Sequence, residues 1–322
     1  NEADQNLLRS MELVDAAVGN YFSNESMSMA RYYNPYTQVS SQERASVWMY
    51  TSAIEAVNSI LKALKAQSDL GYTALYDQHH VRYVQLLEKL FDGLQYYKGS
   101  FRLVSYTQTR EWSVYAVNRA GAPGTADVSG ILNVYDDQQW LVRELLESYH
   151  LTGNKEYLNE AEYLAQYVLD GWDCTLDPAG KEYGGITWGP GYVSKHSCSN
   201  GPFVSPLVWL YEIYKESDET ITYGYMKQDK SRASKTVKKS DYYLDFAKKG
   251  AYVDQSYKKD GEGYLVTCSI KDKSGVLMDL TVRADSEYQL KCMLENYADK
   301  PEVVFRGVLA LLQGDVNYLF ES

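Results

Sequence analysis

Two adjacent carboxylates, Asp136 and Asp137, stand at the start of an amphipathic helical pattern and are well placed for chemistry. Hydrolysis of a glycosidic bond typically uses two carboxyl groups, about 5–5.5 Å apart when the reaction retains configuration through a covalent intermediate. Side chains at neighbouring helical positions diverge by about 100°, so two adjacent aspartates reach one pocket most easily where a helix begins. The position of the pair is therefore compatible with this chemistry.

Helix capping explains the same two residues without any catalysis. Asp136 as N-cap with Gln139 three residues later resembles a capping box, and Asp137 would interact favourably with the helix dipole. Acidic residues are common in first turns, so on spacing alone capping is the favoured interpretation. A catalytic role needs support from elsewhere in the sequence.

Three motifs supply that support. In chain order they are YDDQQW at 135–140, GGITW at 184–188 and KHSCSNGP at 195–202. Together they resemble glycoside hydrolase family 76, and the likeness extends from about residue 48 to 257. The resemblance implies an all-α fold, the (α/α)6 barrel or six-hairpin toroid, and the activity of a retaining, endo-acting α-1,6-mannanase.

The resemblance also implies roles for single residues. Asp136 would be the nucleophile, and Asp137 the general acid and base. The residues expected to bind substrate lie in the same motifs and are Tyr135, Gln138, Trp188, Ser199 and Asn200. The implied reaction requires neither a metal ion nor an organic cofactor.

Several of these residues have a structural explanation as well. Trp188 has the ring to stack on a pyranose or to seal its loop, and the residue type alone does not decide between these. Ser199 and Asn200 precede the entry to a helix, where capping is the simpler role. His196 has no second metal ligand at a helical spacing, so a structural role is expected for it.

The composition favours a neutral glycan partner over a nucleic acid. The 322 residues carry a formal charge of −11, which opposes binding to a phosphate backbone. Tyr occurs 31 times, and its ring combines an apolar face with a hydroxyl, as sugar-binding surfaces require. The Lys-rich run at 227–239 is expected to be a solvated surface loop.

Cysteine spacing and hydropathy limit other functions. The four cysteines lack CxxC spacing, so no zinc site is expected, and their number leaves the disulfide state open. The sequence has no apolar stretch of about 18 residues, which a transmembrane helix would need. The first residue is Asn rather than Met, which is consistent with a removed signal or a trimmed chain. We expect a monomer located outside the cytoplasm.

Helical periodicity dominates the sequence. A length of 322 residues is compatible with one domain, and we expect a single domain over residues 1–322. Apolar faces recur at 54–64, 81–94, 142–149 and 157–168, the last two forming a helical hairpin, and near 203–215, 241–257, 286–297 and 302–313. Residues 99–131 and 170–200 are expected to be long loops. Pattern alone leaves a toroid and an α-solenoid open, although the lack of a fixed sequence period lowers the solenoid interpretation.

The C-terminal part fits the family less well. Residues 259–283 are polar and contain Gly, so the closing repeats are expected to be shortened or disordered, whereas Phe305-Arg306-Gly307-Val308 looks like a late helix of the family. The leading hypothesis is an endo-α-1,6-mannanase. The alternatives are a non-catalytic glycan-binding homologue of the same fold and, from a third class, a helical-repeat scaffold.

Overall fold

The computed structural model describes residues 2–23, 25–251, 262–271, 276–284, 287–297, 300, 303–312 and 315–321. The α-helices within these ranges are α1 (Glu2–Tyr21), α2 (Val47–Asp69), α3 (Ala74–Leu94), α4 (Tyr135–Thr152), α5 (Lys155–Asp170), α6 (Val204–Tyr214), α7 (Lys239–Ala251) and α8 (Glu287–Tyr297). The predicted helices at 54–64, 81–94, 142–149, 157–168 and 203–215 are confirmed. The helix predicted at 241–257 includes residues 252–257, which lie outside the described residues. The helix predicted at 286–297 includes residue 286, which also lies outside them.

Within the described residues, strands form five small sheets. They are β1 (Phe22–Ser23), β2 (Ser28–Met29), β3 (Tyr33–Asn34), β4 (Val39–Ser40), β5 (Lys98–Val104), β6 (Thr109–Tyr115), β7 (Thr220–Met226), β8 (Arg232–Lys238), β9 (Glu262–Lys271), β10 (Leu277–Ala284), β11 (Val303–Leu312) and β12 (Asp315–Glu321). Each of the first four pairs of consecutive strands forms a two-stranded sheet, and the last four strands form one antiparallel sheet in the order β10-β9-β11-β12. The chain is therefore largely helical before residue 252 but is not all-α.

The β11 strand corrects the helix predicted at 302–313, of which residues 302 and 313 lie outside the described residues. Phe305 pairs with Cys268 of β9, and Val308 pairs with Val266. A short apolar run fits a buried helix or a strand equally well by periodicity, and the Val and Phe content of this run favours a strand. The family-like Phe305-Arg306-Gly307-Val308 segment is thus extended, not helical.

Two predicted loops contain hairpins. The segment expected to be a loop at 99–131 includes most of β5 and all of β6, and the Lys-rich run at 227–239 forms the turn and second strand of the β7–β8 hairpin. That run is on the surface as expected, since most of its residues are exposed, but it is not a loop. Alternating small, polar and charged residues on an exposed strand carry no apolar periodicity, which is why the sequence pattern missed it.

The chain divides into two compact units. The first comprises residues 1–101, 113–133 and 140–164, and the second residues 102–112, 134–139 and 165–322. In the first unit α2 packs on α3 through fully buried side chains such as Ile54, Leu61 and Leu87. In the second unit α6 packs on α7, with Leu210 and Tyr243 buried.

Within the first unit, a buried polar contact fixes α4 against α2. The Asn58 side-chain amide donates to the Glu144 carboxylate at 2.9 Å and to its backbone oxygen at 3.1 Å. Burial raises the pKa of Glu144 to about 7, and the hydrogen bond from Asn58 opposes that rise. Buried polar groups of this kind specify one packing arrangement because mispairing them is costly.

None of the described helices has an apolar stretch long enough to cross a membrane. No disulfide joins the four cysteines. Among the residues that the structure describes, no group of three His, Cys, Asp or Glu side chains is placed to hold a metal ion.

Candidate active site

The acidic pair lies in the first turn of α4. The helix begins at Tyr135, so Asp136 and Asp137 are both inside it, and Asp136 does not precede it as an N-cap would. Both side chains are half-buried. The unpaired backbone N–H groups of a first helical turn carry partial positive charge, which stabilises a carboxylate there.

The Gly-Gly-Ile-Thr-Trp loop is bound to the start of this helix. The backbone N–H of Tyr135 donates to the Trp188 carbonyl at 2.7 Å. Gly184 and Gly185 have φ of +76° and +84°, a conformation that residues with a Cβ rarely adopt, so both glycines are needed for the path of the loop. The first two motifs are thus adjacent in the second unit.

The third motif joins the same cluster. The Gln139 side chain donates to the Ser199 carbonyl at 2.7 Å. The Asn200 side chain accepts from the Ile186 N–H at 2.8 Å and donates to the Ile186 carbonyl at 2.9 Å. Through these two bonds, Asn200 holds the glycine loop in place. Three segments that are distant in sequence therefore meet around the acidic pair.

Trp188 keeps part of its ring accessible. The ring stacks on His196, with the centroids 4.9 Å apart and the planes 17° apart, and it lies tilted against Tyr192 at 4.8 Å. The structural role expected for His196 thus has a physical basis in this stacking. Trp188 is half-buried, which leaves both sealing and sugar stacking physically possible.

The remaining predicted substrate-binding residues are buried. Tyr135 is 2% exposed and packs its ring against Tyr167 at 5.1 Å, and burial raises the pKa of its phenol far above the ordinary value. Gln138, Ser199 and Asn200 are also buried. These residues lie next to the acidic pair in the chain or in the segments that are hydrogen-bonded to α4. Their buried position suits a role in supporting the site.

The two aspartates differ in their electrostatic surroundings. Burial, followed by the negative charge of Asp136, raises the pKa of Asp137 to about 7. One carboxylate oxygen of Asp136 is buried and accepts no hydrogen bond from the residues that the structure describes. Burial and the negative charge of Asp136 also raise the pKa of the neighbouring Cys198 thiol. The site therefore pairs a protonatable carboxyl with a neighbouring carboxylate.

A small cavity of about 40 Å³ adjoins this cluster. Its lining includes Tyr135, Asp170, Thr187 and Tyr192. Neither Asp136 nor Asp137 lines it. The volume is sufficient for one or two water molecules, not for a sugar ring.

Comparison with known proteins gives a family model over part of the chain and distant structural likenesses. Residues 209–312 match a domain of unknown function, DUF4364, over less than half of the chain. No curated protein sequence matches the chain significantly.

Among solved structures, the chain is similar to three enzymes of glycoside hydrolase family 76. A mannosidase from Bacteroides thetaiotaomicron is 18% identical, with 92% of this chain and 67% of that chain covered and a TM-score of 0.49. An α-mannanase from the same organism is 15% identical, with 93% and 67% covered and a TM-score of 0.48. An α-1,6-mannanase from Salegentibacter is 16% identical, with 89% and 62% covered and a TM-score of 0.44. At these values the likenesses carry no conclusion about activity.

A buried ion pair beneath the glycine loop was not singled out by sequence reasoning. Lys195 donates to the Asp173 carboxylate at 2.6 Å, and both side chains are almost inaccessible to solvent. The other oxygen of Asp173 accepts from the backbone N–H and hydroxyl of Thr175. Lys195 opens the third motif, so its position was visible, but its partner 22 residues earlier could be found only in three dimensions.

Proposed function

We propose that this protein is a retaining glycoside hydrolase that acts at Asp136 and Asp137, with endo-acting cleavage of α-1,6-linked mannan as its reaction. The observation that carries the proposal is the raised pKa of Asp137, about 7, beside Asp136 in a helix first turn where three motifs meet. Retaining hydrolysis needs one carboxyl that holds a proton near neutral pH and one that stays ionised.

The reaction assigns each aspartate two steps. The Asp136 carboxylate attacks the anomeric carbon, the bond from that carbon to the leaving oxygen breaks, and the oxygen takes the proton of Asp137. The resulting Asp137 carboxylate then takes a proton from water, whose oxygen attacks the anomeric carbon and releases Asp136. Two displacements return the sugar to its original configuration.

Substrate contact is proposed for the residues around the pair. The half-buried ring of Trp188 offers an apolar surface to a pyranose, and Asn200 holds the glycine loop through its bonds to Ile186. Further substrate contacts are proposed for Tyr135, Gln138, Ser199 and Asn200. Mannan is neutral, so the negative charge of the chain does not oppose it, and polymeric mannan implies action outside the cytoplasm. Mannan and the α-1,6 linkage come from the motif resemblance; the residues alone support a neutral glycan.

The decisive experiment compares two variants on two substrates. Asp136→Asn should lower the rate more than about 1,000-fold on both debranched α-1,6-mannan and an aryl α-mannobioside with a 2,4-dinitrophenol leaving group. Asp137→Asn should lose the mannan reaction but still release dinitrophenol in a burst, because that leaving group needs no proton. Asp77→Asn is the matched control, since Asp77 also lies in a helix first turn but is exposed.

The stereochemistry of the first product completes the test. NMR of the reducing end formed by the wild-type protein should show the α-anomer before mutarotation. Release of the β-anomer would contradict the covalent intermediate at Asp136. Full activity of folded Asp136→Asn protein on mannan would contradict the whole assignment.

The alternative of a glycan-binding protein without turnover gives a different result. Calorimetry with α-1,6-mannooligosaccharides would then show binding, and the same oligosaccharides would remain intact after prolonged incubation with the wild-type protein.

A further inference from the structure

A second cavity, of about 120 Å³, lies wholly within the second unit and is lined by neither aspartate of the candidate active site. Its walls come from the β5–β6 turn, the C-terminal end of α5, the β7–β8 hairpin and α7. The lining residues that matter below are Asp170, Trp172, Tyr223, Tyr225, Lys235 and Tyr242. We call it the hairpin cavity.

The β7–β8 hairpin is held over this cavity at several points. Gly224 lies so close to Thr107 that a Cβ added there would overlap the Thr107 side chain. Arg232 donates to the Ser105 carbonyl at 2.8 Å, and the Gln228 side chain donates to the Gly180 carbonyl at 3.1 Å. Because the hairpin is anchored near its turn and along one strand, the cavity wall is preformed, which lowers the entropy cost of binding a ligand.

One carboxylate oxygen at the cavity has no hydrogen bond. Oδ1 of Asp170 accepts from the Thr107 hydroxyl at 3.1 Å and from the Gln108 amide at 2.9 Å. Oδ2 is buried and accepts from none of the residues that the structure describes. Burial raises the pKa of Asp170, and side-chain hydrogen bonds, led by that from Gln108, oppose the rise. A buried polar atom left unpaired costs free energy that a ligand donor would recover.

Aromatic rings and charged side chains of both signs line the same cavity. Trp172, Tyr223 and Tyr242 line it, as do Arg110, Lys235, Lys249 and Glu182. The Nζ of Lys235 lies 5.2 Å from the centre of the Tyr223 ring, whereas Lys249 is paired with Glu182 at 3.3 Å. A cationic ligand would be repelled by Arg110 and Lys235. An anionic ligand would be placed against Asp170, whose free oxygen needs a donor that an anion lacks.

A neutral hydroxyl can donate to the carboxylate of Asp170 and can also accept from an ammonium group or an amide of the lining. The apolar side of a pyranose matches an aromatic lining. The volume is below the about 150 Å³ of a cavity that holds benzene, so the cavity takes one edge of a pyranose, and the rest of the ring lies outside on the hairpin side. We propose that the hairpin cavity binds one neutral pyranose, with a sugar hydroxyl donating to Oδ2 of Asp170 and a ring face against the cavity aromatics.

The route of entry is on the hairpin side. Lys235 and Thr222 are exposed, and Tyr223 and Tyr225 are half-buried, whereas Trp172 and Tyr242 are buried. The sugar therefore meets tyrosine and lysine first and reaches Asp170 at the inner end. This site makes no use of the acidic pair in α4, so it does not depend on the function proposed above.

Saturation-transfer NMR titration of the full chain with methyl α-D-mannopyranoside and methyl β-D-glucopyranoside tests the proposal. At least one should bind the wild-type protein with a Kd on the order of 1 mM, the affinity expected for about 13 non-hydrogen atoms. Asp170→Asn should weaken this binding at least about tenfold, the usual effect of losing a hydrogen bond to a charged group. Sodium glucuronate and glucosamine hydrochloride should bind at least about tenfold more weakly than the neutral glycosides.

Two further variants separate this site from the acidic pair and from general unfolding. Tyr223→Ala should weaken binding and keep the wild-type circular dichroism, while Tyr36→Ala, which changes a tyrosine that is 95% exposed, should leave binding unchanged. Asp136→Asn should also leave it unchanged. The proposal is overturned if Asp136→Asn abolishes binding while Asp170→Asn and Tyr223→Ala do not. It is likewise overturned if glucuronate binds as tightly as the neutral glycosides, or if neither glycoside binds.

Discussion

Replacing Asp137 by Asn should stabilise the protein at alkaline pH while removing its activity. Burial and the charge of Asp136 raise the pKa of Asp137 from 3.8 to about 7 in the folded chain. The folded protein thus holds this proton more tightly than the unfolded chain does. Its unfolding free energy therefore falls as the pH rises from about 4 to about 7, and this loss is complete above pH 7.

The size of the effect follows from the same pKa values. A rise from 3.8 to about 7 corresponds to roughly 4 kcal/mol, since each pKa unit is worth about 1.4 kcal/mol. Partial solvent access to the half-buried side chain lowers this to about 2–4 kcal/mol. An asparagine carries no charge at any pH, so Asp137→Asn avoids the loss. At pH 8 the variant should exceed the wild-type unfolding free energy by that amount, and at pH 4 the two should agree.

Urea unfolding followed by circular dichroism, repeated at half-unit steps from pH 4 to 8.5, measures this difference. Asp77→Asn is the control, because it makes the same replacement in a helix first turn at an exposed position. Asp136→Asn should remove the contribution of the Asp136 charge to the raised pKa of Asp137 and leave the contribution of burial. The fall in unfolding free energy between pH 4 and pH 7 should therefore be smaller in this variant than in the wild-type protein. A difference between Asp137→Asn and wild type that is constant with pH, or a destabilised variant at pH 8, would refute the reasoning.

Three further predictions concern the same cluster. The rate on mannan should fall as the pH rises through about 7, because Asp137 then loses the proton it donates, and a pH–rate profile that still climbs at pH 8.5 would contradict this. Asn200→Ala should lower the unfolding free energy by about 1–3 kcal/mol, measured by urea titration, because both of its bonds to Ile186 are lost; Asn200→Asp should not restore it, because a carboxylate oxygen would then face the carbonyl oxygens of Ile186 and His196. Lys195→Met should lower the unfolding free energy by about 3–5 kcal/mol, because it leaves Asp173 charged and buried. Adding Asp173→Leu should recover stability in thermal unfolding. If the two substitutions instead lower stability additively, the ion pair does not stabilise the fold.

Much of the secondary structure follows from local sequence. In α2, apolar residues such as Ile54, Leu61 and Leu64 recur at helical spacing and are all buried, and Ser46 caps the helix by accepting from the Met49 N–H. Side-chain periodicity and capping act over a few residues, so they are readable before the chain folds. The apolar faces predicted at 142–149 and 157–168 are readable for the same reason, and they lie within α4 and α5.

Strand pairing depends on partners that are distant in sequence. The apolar run at 303–312 has a short pattern compatible with either state, and its pairing with β9, more than thirty residues earlier, makes it a strand. Likewise, β8 pairs with β7 along its whole length, although its own exposed side chains show no apolar alternation. The sequence could not display these pairings because a strand is completed by hydrogen bonds to another segment.

The acidic pair also combines features that are local in sequence with features that depend on the fold. Residue types and spacing place Asp136 and Asp137 next to each other at the predicted start of a helix, ahead of the two later motifs. The bonds that join Trp188 and Ser199 to that helix, and the burial that raises the pKa of Asp137 to about 7, arise only when the chain folds. The physical reason is that residue type and local spacing are properties of the chain, whereas desolvation and the charge of neighbours depend on which segments are packed around a group.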